Sequence, residues 1–305
     1  MLNVDDMMQI MDRVKAKHFM IQTNGLLLDH LPSEYANRLH TILVSVDGDE
    51  TLTDNYRGKG TYRKVMDNLK LLKKNGFCGE LIARMTVMEQ TDIEKQVKYL
   101  LENDDFPFTS VHWQLNAGFW GNDFPRRNFK EWSETNYTAG VTNLARFWIL
   151  QMAKEGKVLR LYPLLGIAKS LLHNEPSLLR CGGGWINYSI QTDGFIIPCP
   201  TMWGMKKYYL GNISKTNPLE LRKIPTDQEP CINCDINELC GGRCLYTNLT
   251  RRWSKEAYAS VCKTVRGLVE SVKEQIPRIS QLISSGKISL NDFDYMEYNG
   301  CEIIP

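Results

Sequence analysis

Seven of the nine cysteines in this 305-residue chain fall between Cys181 and Cys262. They run as C-x12-G-x4-C, then C-x2-C-x5-C-x3-C, then a final C: Cys181 and Cys199, Cys231, Cys234, Cys240 and Cys244, and Cys262. Thiolate sulfur binds zinc and iron–sulfur clusters, and each such site takes about four ligands. Seven ligands divide as four and three. Cys231, Cys234 and Cys240 with the distant Cys262 could complete one site, and Cys244 would turn the other way to join Cys181 and Cys199 in a second. CxxC knuckles are common in structural zinc sites, so zinc is the competing reading, while disulfides and catalytic thiols fit seven clustered copies poorly. Glycines flank the sulfurs, Gly182, Gly183 and Gly184 after Cys181 and Gly241 and Gly242 after Cys240. They allow backbone N–H groups to approach sulfur closely.

These ligands need elements to hold them. Gln191 to Ile197 carries Asp193-Gly194 at a turn and reads as a hairpin, with Cys181 and Cys199 near its two open ends. Upstream, Met7, Ile10, Met11 and Val14 mark an amphipathic helix over 4–16. Short apolar runs then alternate with helical stripes. His18–Gln22 reads as a buried strand stopped by Thr23-Asn24-Gly25, and Thr41–Val46 as a second stopped by Asp47-Gly48. A helix bearing Val65, Met66, Leu69 and Leu72 follows. Leu81–Val87 is the next strand, before a helix opened by a Thr91-x-x-Glu94 capping box. Val111–Leu115, a helix over about 138–155 and Val158–Tyr162 continue the series.

Continuous apolar strands alternating with helices of this length imply an α/β fold built on parallel units. In such folds ligands gather at the carboxyl ends of the strands, where Asn24, Ser45, Asp47, Arg84 and Asn116 fall. The segment from Phe106 to Tyr137 is too long for a tight connection and too aromatic for disorder, so an ordered flap is expected over the strand ends. A helix over about 255–284 and an apolar tail from Tyr298 to Pro305 that docks close the chain. Cys78, ahead of a strand, reads as a small buried residue.

A net charge of +2, from 37 Lys and Arg against 35 Asp and Glu, argues for no nucleic-acid or anionic membrane partner. The N-terminus has acids where a signal peptide has bases, and no 18-residue apolar run occurs, so a cytoplasmic location is expected. In a reducing compartment clustered cysteines favour metal over disulfides.

The cysteine order, Cys199 set in Ile197-Pro198-Cys199-Pro200, and Tyr209-Leu210-Gly211-Asn212-Ile213 after it together resemble the SPASM extension of radical S-adenosylmethionine enzymes at all seven positions. Thr23-Asn24-Gly25, Ser45-Val46-Asp47-Gly48, Tyr56–Tyr62 and Met85-Thr86-Val87 are similar to the third, fourth and fifth strand regions of the radical barrel. The closing Cys301–Pro305 resembles that of a peptide-modifying group. The resemblance implies a partial parallel β/α barrel over residues 1–165, a SPASM domain over 166–262, and a C-terminal helix with docking tail over 263–305. It implies two auxiliary [4Fe-4S] clusters on the seven cysteines, a peptide or protein substrate, and a reductant such as ferredoxin or flavodoxin. The reaction implied is hydrogen abstraction by a 5′-deoxyadenosyl radical, with the surplus electron passing to the auxiliary clusters. Asn24, Ser45 and Arg84 match positions that bind S-adenosylmethionine, Ser45 and Arg84 through its carboxylate and ribose. Arg57 could bind an anion, although a solvated loop arginine is the simpler expectation.

One departure stands out. The family's C-x3-C-x2-C, which holds the cluster that cleaves S-adenosylmethionine, is absent from these residues, as is the glycine-rich motif of the second strand. S-adenosylmethionine and a third [4Fe-4S] cluster are therefore expected only in a full-length form with two more βα units upstream, and this chain alone is expected not to cleave the cofactor. Pro200 stands where formylglycine-forming members carry an Asp, which favours thioether or other carbon-centred crosslinking, or epimerisation. The fourth ligand of the three-cysteine site could be His173, Glu175 or Cys301, or the position is open to a substrate cysteine. A non-enzymatic iron–sulfur carrier or peptide-recognition protein and a zinc-stabilised module are the alternative functions.

Overall fold

The computed structural model describes residues 3–119, 123–221, 223–224, 229–297, 299–301 and 304–305. The chain divides into two compact units, residues 1–116 with 139–162, and residues 117–138 with 163–305.

The first unit is a five-stranded, all-parallel sheet in the order β1 (Met20–Thr23), β2 (Thr41–Ser45), β3 (Glu80–Val87), β4 (Ser110–Leu115), β5 (Arg160–Leu161). Strands that neighbour one another in chain order need a helical crossover each, which is the β/α barrel pattern. Helix α1 (Val4–Arg13) precedes the sheet. Short turns of helix at Leu28–His30 and Ser33–Ala36 cross from β1 to β2, and helices α2 (Glu50–Arg57), α3 (Thr61–Lys74), α4 (Ile93–Glu102) and α5 (Thr138–Glu155) make the later crossovers. In α3 the stripe Val65, Met66, Leu69 and Leu72 is buried, which is why a chain with Lys73 and Lys74 in the last turn holds as a helix here. Helix α2 has no such stripe, burying only Leu52 and Thr53, and the Asp49 carboxylate fixes its start by accepting from Leu52 N.

Three expectations are corrected. The first strand is an edge strand with Met20 and Gln22 exposed, because among the described residues only β2 pairs with it. Helix α4 is capped by Asp92, whose side chain accepts from Lys95 N, so Thr91-x-x-Glu94 is no capping box. Thr91 Oγ1 accepts instead from Met88 N, and Glu94 pairs with Lys98. Finally, β3 and β4 alternate rather than running continuously apolar. The parallel register places Ser45, Arg84 and His112 side by side on one face with Glu80, Thr86, Ser110 and Gln114, while Val44, Ala83, Met85, Val111 and Trp113 form the apolar face.

The second unit carries, besides residues 117–138, α6 (Tyr162–His173) from its second residue on and a three-stranded antiparallel sheet of β6 (Ser189–Ile190), β7 (Phe195–Ile197) and β8 (Gly211–Asn212). Gly194 turns the β6–β7 hairpin at φ 83°. Helices α7 (Asn237–Cys240), α8 (Leu245–Thr250), α9 (Lys255–Lys273) and α10 (Ile276–Ser284) follow. The single helix expected over 255–284 is two, since Pro277 clashes with the carbonyl four residues back, at the last residue of α9.

The aromatic segment after β4 is ordered where described. Phe119, Phe124, Phe129, Trp132 and Tyr137 are buried, Phe119 stacking edge-on against Trp253 at 5.4 Å. Lys263–Glu134 and Lys130–Glu256 ion pairs fasten the segment along α9. Trp120, Gly121 and Asn122 lie outside the described residues. In the tail Cys301 and Ile304 are buried, and Arg243 Nε donates to Pro305 O at 3.2 Å. Tyr298, Glu302 and Ile303 lie outside the described residues.

Candidate metal centre

The second unit draws the seven cysteines into two groups. Cys231, Cys234, Cys240 and Cys262 line one cavity of about 210 Å³, together with Arg243, Trp253, Tyr258 and Arg266. Two come from the turn around Cys231–Asn233, one from the end of α7 and one from α9. Gly241 at φ 64° and Gly242 at φ 82° stop α7 in the left-handed conformation, and the Gly242 N–H donates to the Cys240 sulfur. Burial pushes the Cys240 thiol up to about 11, and Cys262 and Cys231 lie close enough to add like-charge repulsion. Burial likewise raises Cys231, opposed by the Asn248 amide that donates to its Sγ at 3.3 Å, and raises Cys262.

Cys181, Cys199 and Cys244 make the other group. Burial pushes the Cys181 thiol up to about 11 against the opposing Gly183 N–H, and neighbouring Cys199 and Cys244 repel its charged form. Gly183 fills a close approach, since a Cβ there would stand 3.5 Å from Cys181 Sγ, 4.0 Å from Cys199 Cβ and 3.2 Å from Pro198 O. Burial also raises Cys199, whose sulfur lies 3.0 Å from Thr201 Oγ1. The apolar residues Leu179, Met202, Ile224 and Leu245 pack behind Cys181 and Cys199.

A seam ahead of Cys244 links 177–180 to the knuckle. Ser177 N donates to Glu238 O at 2.6 Å, and the buried Arg180 donates from Nε to Leu239 O at 2.7 Å. Gly241 lies against Leu178, where a Cβ would come within 2.7 Å of the carbonyl carbon.

Do these residues suit a metal cofactor? Among the described residues, no three His, Cys, Asp or Glu side chains close on one point as around a lone metal ion. Four thiols lining a cavity of about 210 Å³, with the Gly242 N–H donating to Cys240 and the Asn248 amide to Cys231, offer ligands and sulfur-directed donors of the kind an iron–sulfur group takes. Partly desolvated thiols that hold their protons are also what a cationic cofactor deprotonates on binding.

The candidate fourth ligands have different surroundings. His173 ends α6, its Nε2 buried without a hydrogen-bond partner. Glu175 lines a second cavity, of about 270 Å³, with Lys169, Arg180 and Glu297. Cys301 is in the docked tail, its N–H donating to Asn299 Oδ1.

In the first unit, Ser45 and Arg84 are register partners on the polar sheet face, and Arg84 Nη2 donates to Gln114 Oε1 at 2.7 Å. Asn24 is exposed after β1, its Oδ1 accepting from Leu26 N at 3.2 Å. Arg57 is not a solvated loop residue. It ends α2 and forks onto the carboxylate of Asp47, with Nη2 to Oδ1 at 2.8 Å. Cys78 is exposed rather than buried, because it stands in the turn before β3 with Sγ near Gly76 O. Sequence reasoning missed His112, Gln114 and Asn248. For the first two the signal was the period-two alternation of Ser110, His112 and Gln114; for Asn248 there was none.

No protein-family model and no curated protein sequence matches the chain. Solved structures do. Native anSMEcpe with bound AdoMet has a TM-score of 0.65 at 20% identity over 87% of this chain and 76% of that one. The same protein with AdoMet and a Cp18Cys peptide gives 0.66 at 19% over 92% and 81%, and with a Kp18Cys peptide 0.65 at 19% over 91% and 80%. That protein is an anaerobic sulfatase-maturating radical SAM/SPASM enzyme. At this identity the likeness establishes a shared fold, a parallel α/β sheet unit with a cysteine-rich C-terminal region.

Proposed function

We propose that this chain serves in radical-based modification of a peptide or protein, its cysteine-rich region holding two auxiliary [4Fe-4S] clusters. The observation that carries the reading is the gathering of seven thiols into a four-cysteine cavity and a three-cysteine group, in a chain folded like a radical SAM/SPASM enzyme. When bound, such clusters supply one-electron acceptance and, at an incomplete site, an iron open to a substrate thiol. Cys231, Cys234, Cys240 and Cys262 would hold one, and Cys181, Cys199 and Cys244 the other. His173, with its orphaned ring nitrogen, Glu175 and Cys301 are the candidates to complete the latter.

Asn24, Ser45 and Arg84 would bind S-adenosylmethionine. Ser45 offers a hydroxyl and Arg84 a guanidinium on one sheet face, suited to a carboxylate and ribose hydroxyls. The solved neighbours contain AdoMet and peptides, which supports this substrate class for the present chain. Pro200 directly follows Cys199 and supplies no carboxylate base, so the bond made is a thioether or other carbon-centred crosslink, or an epimerisation, rather than formylglycine. These 305 residues contain no C-x3-C-x2-C, so by themselves they yield no 5′-deoxyadenosine from S-adenosylmethionine. The domain limits we propose are 1–165, 166–262 and 263–305.

Iron and acid-labile sulfide counts on anaerobically purified protein, with its absorption spectrum, test the reading. Brown protein with about eight irons per chain is expected from two four-iron clusters. Colourless protein carrying zinc would sink it in favour of a zinc-stabilised module.

A further inference from the structure

Asn248 is fully buried on α8 and donates from Nδ2 to the Sγ of Cys231 at 3.3 Å. A side-chain amide can be turned either way, and its neighbours decide which end faces the sulfur. Arg251 decides it here. Its Nη2 donates to Asn248 Oδ1 at 3.4 Å and also bonds the carbonyl oxygen of Glu229. The amide oxygen thus faces the cation, and the NH2 group faces the sulfur. Arg251 does this as the residue that ends α8 at φ 49°, a left-handed position that usually falls to Gly or Asn. Two more guanidinium groups, of Arg243 and Arg266, line the same cavity. The three-cysteine group is served differently, by the Gly183 N–H and the exposed Thr201 hydroxyl.

A donor aimed at a ligand sulfur draws electron density from it and favours the more negative, reduced state of an attached cluster. We propose that Asn248, oriented by Arg251, is a positioning residue that raises the reduction potential of the cluster held by Cys231, Cys234, Cys240 and Cys262. This inference rests on the iron–sulfur reading above. Asn248 reaches the cysteine group through a ligand sulfur, so its action is on the potential and not on which atoms bind.

The test is a redox titration of the anaerobically reconstituted full chain followed by electron paramagnetic resonance, with iron counted in each sample. In Asn248→Leu, the midpoint of one cluster falls while the other stays. The oxidised-to-reduced ratio at the unsubstituted midpoint rises about tenfold, equivalent to about 59 mV for a one-electron couple. Arg251→Met, which frees the amide to turn, shifts the same wave in the same direction by less. Thr201→Val moves the other wave. An iron-replete Asn248→Leu protein with both midpoints unmoved overturns the proposal alone. Should that variant lose its iron, an unmoved midpoint in Arg251→Met overturns it equally. An unsubstituted chain that takes up no iron removes the iron–sulfur reading and this inference with it.

Discussion

Arg57 lays its guanidinium along the carboxylate of Asp47, a residue with 0% exposure whose Oδ1 also accepts from Thr86 N at 2.8 Å. One buried acid thereby ties the end of β2 to α2 and to β3. Removing Arg57 strands that charge, so Arg57→Ala is expected to lose about 3 kcal/mol of unfolding free energy. Asp47→Asn, which keeps an acceptor in place, loses about 1–2 kcal/mol. Urea titration of both variants and of the double variant checks this, and additive losses would mean the pair is not coupled.

Asp54 gives the first unit a dependence on acid. Its carboxylate accepts from Tyr62 N at 2.9 Å and Gly60 N at 2.6 Å, which holds its folded pKa below the ordinary range and caps α3. A depressed folded pKa means the unfolded chain binds the proton more tightly. The stabilisation is therefore complete above the unfolded value of about 3.9 and drains away as pH falls through the lower folded value. Asp54→Ala should lower stability at neutral pH by about 1 kcal/mol and flatten the acid limb. Thermal melts between neutral pH and pH 2 read both effects.

The seam at Gly241 holds the two cysteine groups in one unit. In Gly241→Ala the methyl group would meet the Leu178 carbonyl carbon at 2.7 Å, with φ at 64°, so both space and conformation oppose it. We expect a loss of at least about 1 kcal/mol, together with reduced iron uptake. Gly204→Ala, also at positive φ but with open space around it, serves as the comparison, and equal losses in both would point to conformation alone.

The division of thiols predicts separable losses. Cys240→Ser should halve the iron per chain by emptying the four-cysteine cavity, and Cys199→Ser should remove the other half. The double variant should be colourless. Loss of all iron from either single variant would show one shared site in place of two.

The sequence by itself determined the strand order of the first unit and its helices α1, α3, α4 and α5, the hairpin at Gly194, and the spacing by which seven cysteines divide as four and three. Each is written in local spacing: a period of hydrophobicity, a turn dipeptide, a count between sulfurs. The same local reading misassigned the cap of α4, because Thr91 and Asp92 both suit a helix start and only the packed turn at Met88 chose between them. It took β1 as buried and Cys78 as buried, and those depend on which strand is the edge and which turn faces water. The register that sets Ser45, Arg84 and His112 side by side, the clasp of Arg57 on Asp47, and the amide of Asn248 on Cys231 were decided by tertiary structure alone. In each, the partners lie 10 to 39 residues apart, as in Asp47 with Arg57 and with Thr86, and no pattern along the chain records which buried polar group will meet which. The cost of burying a polar group unpartnered enforces those meetings once the chain has packed.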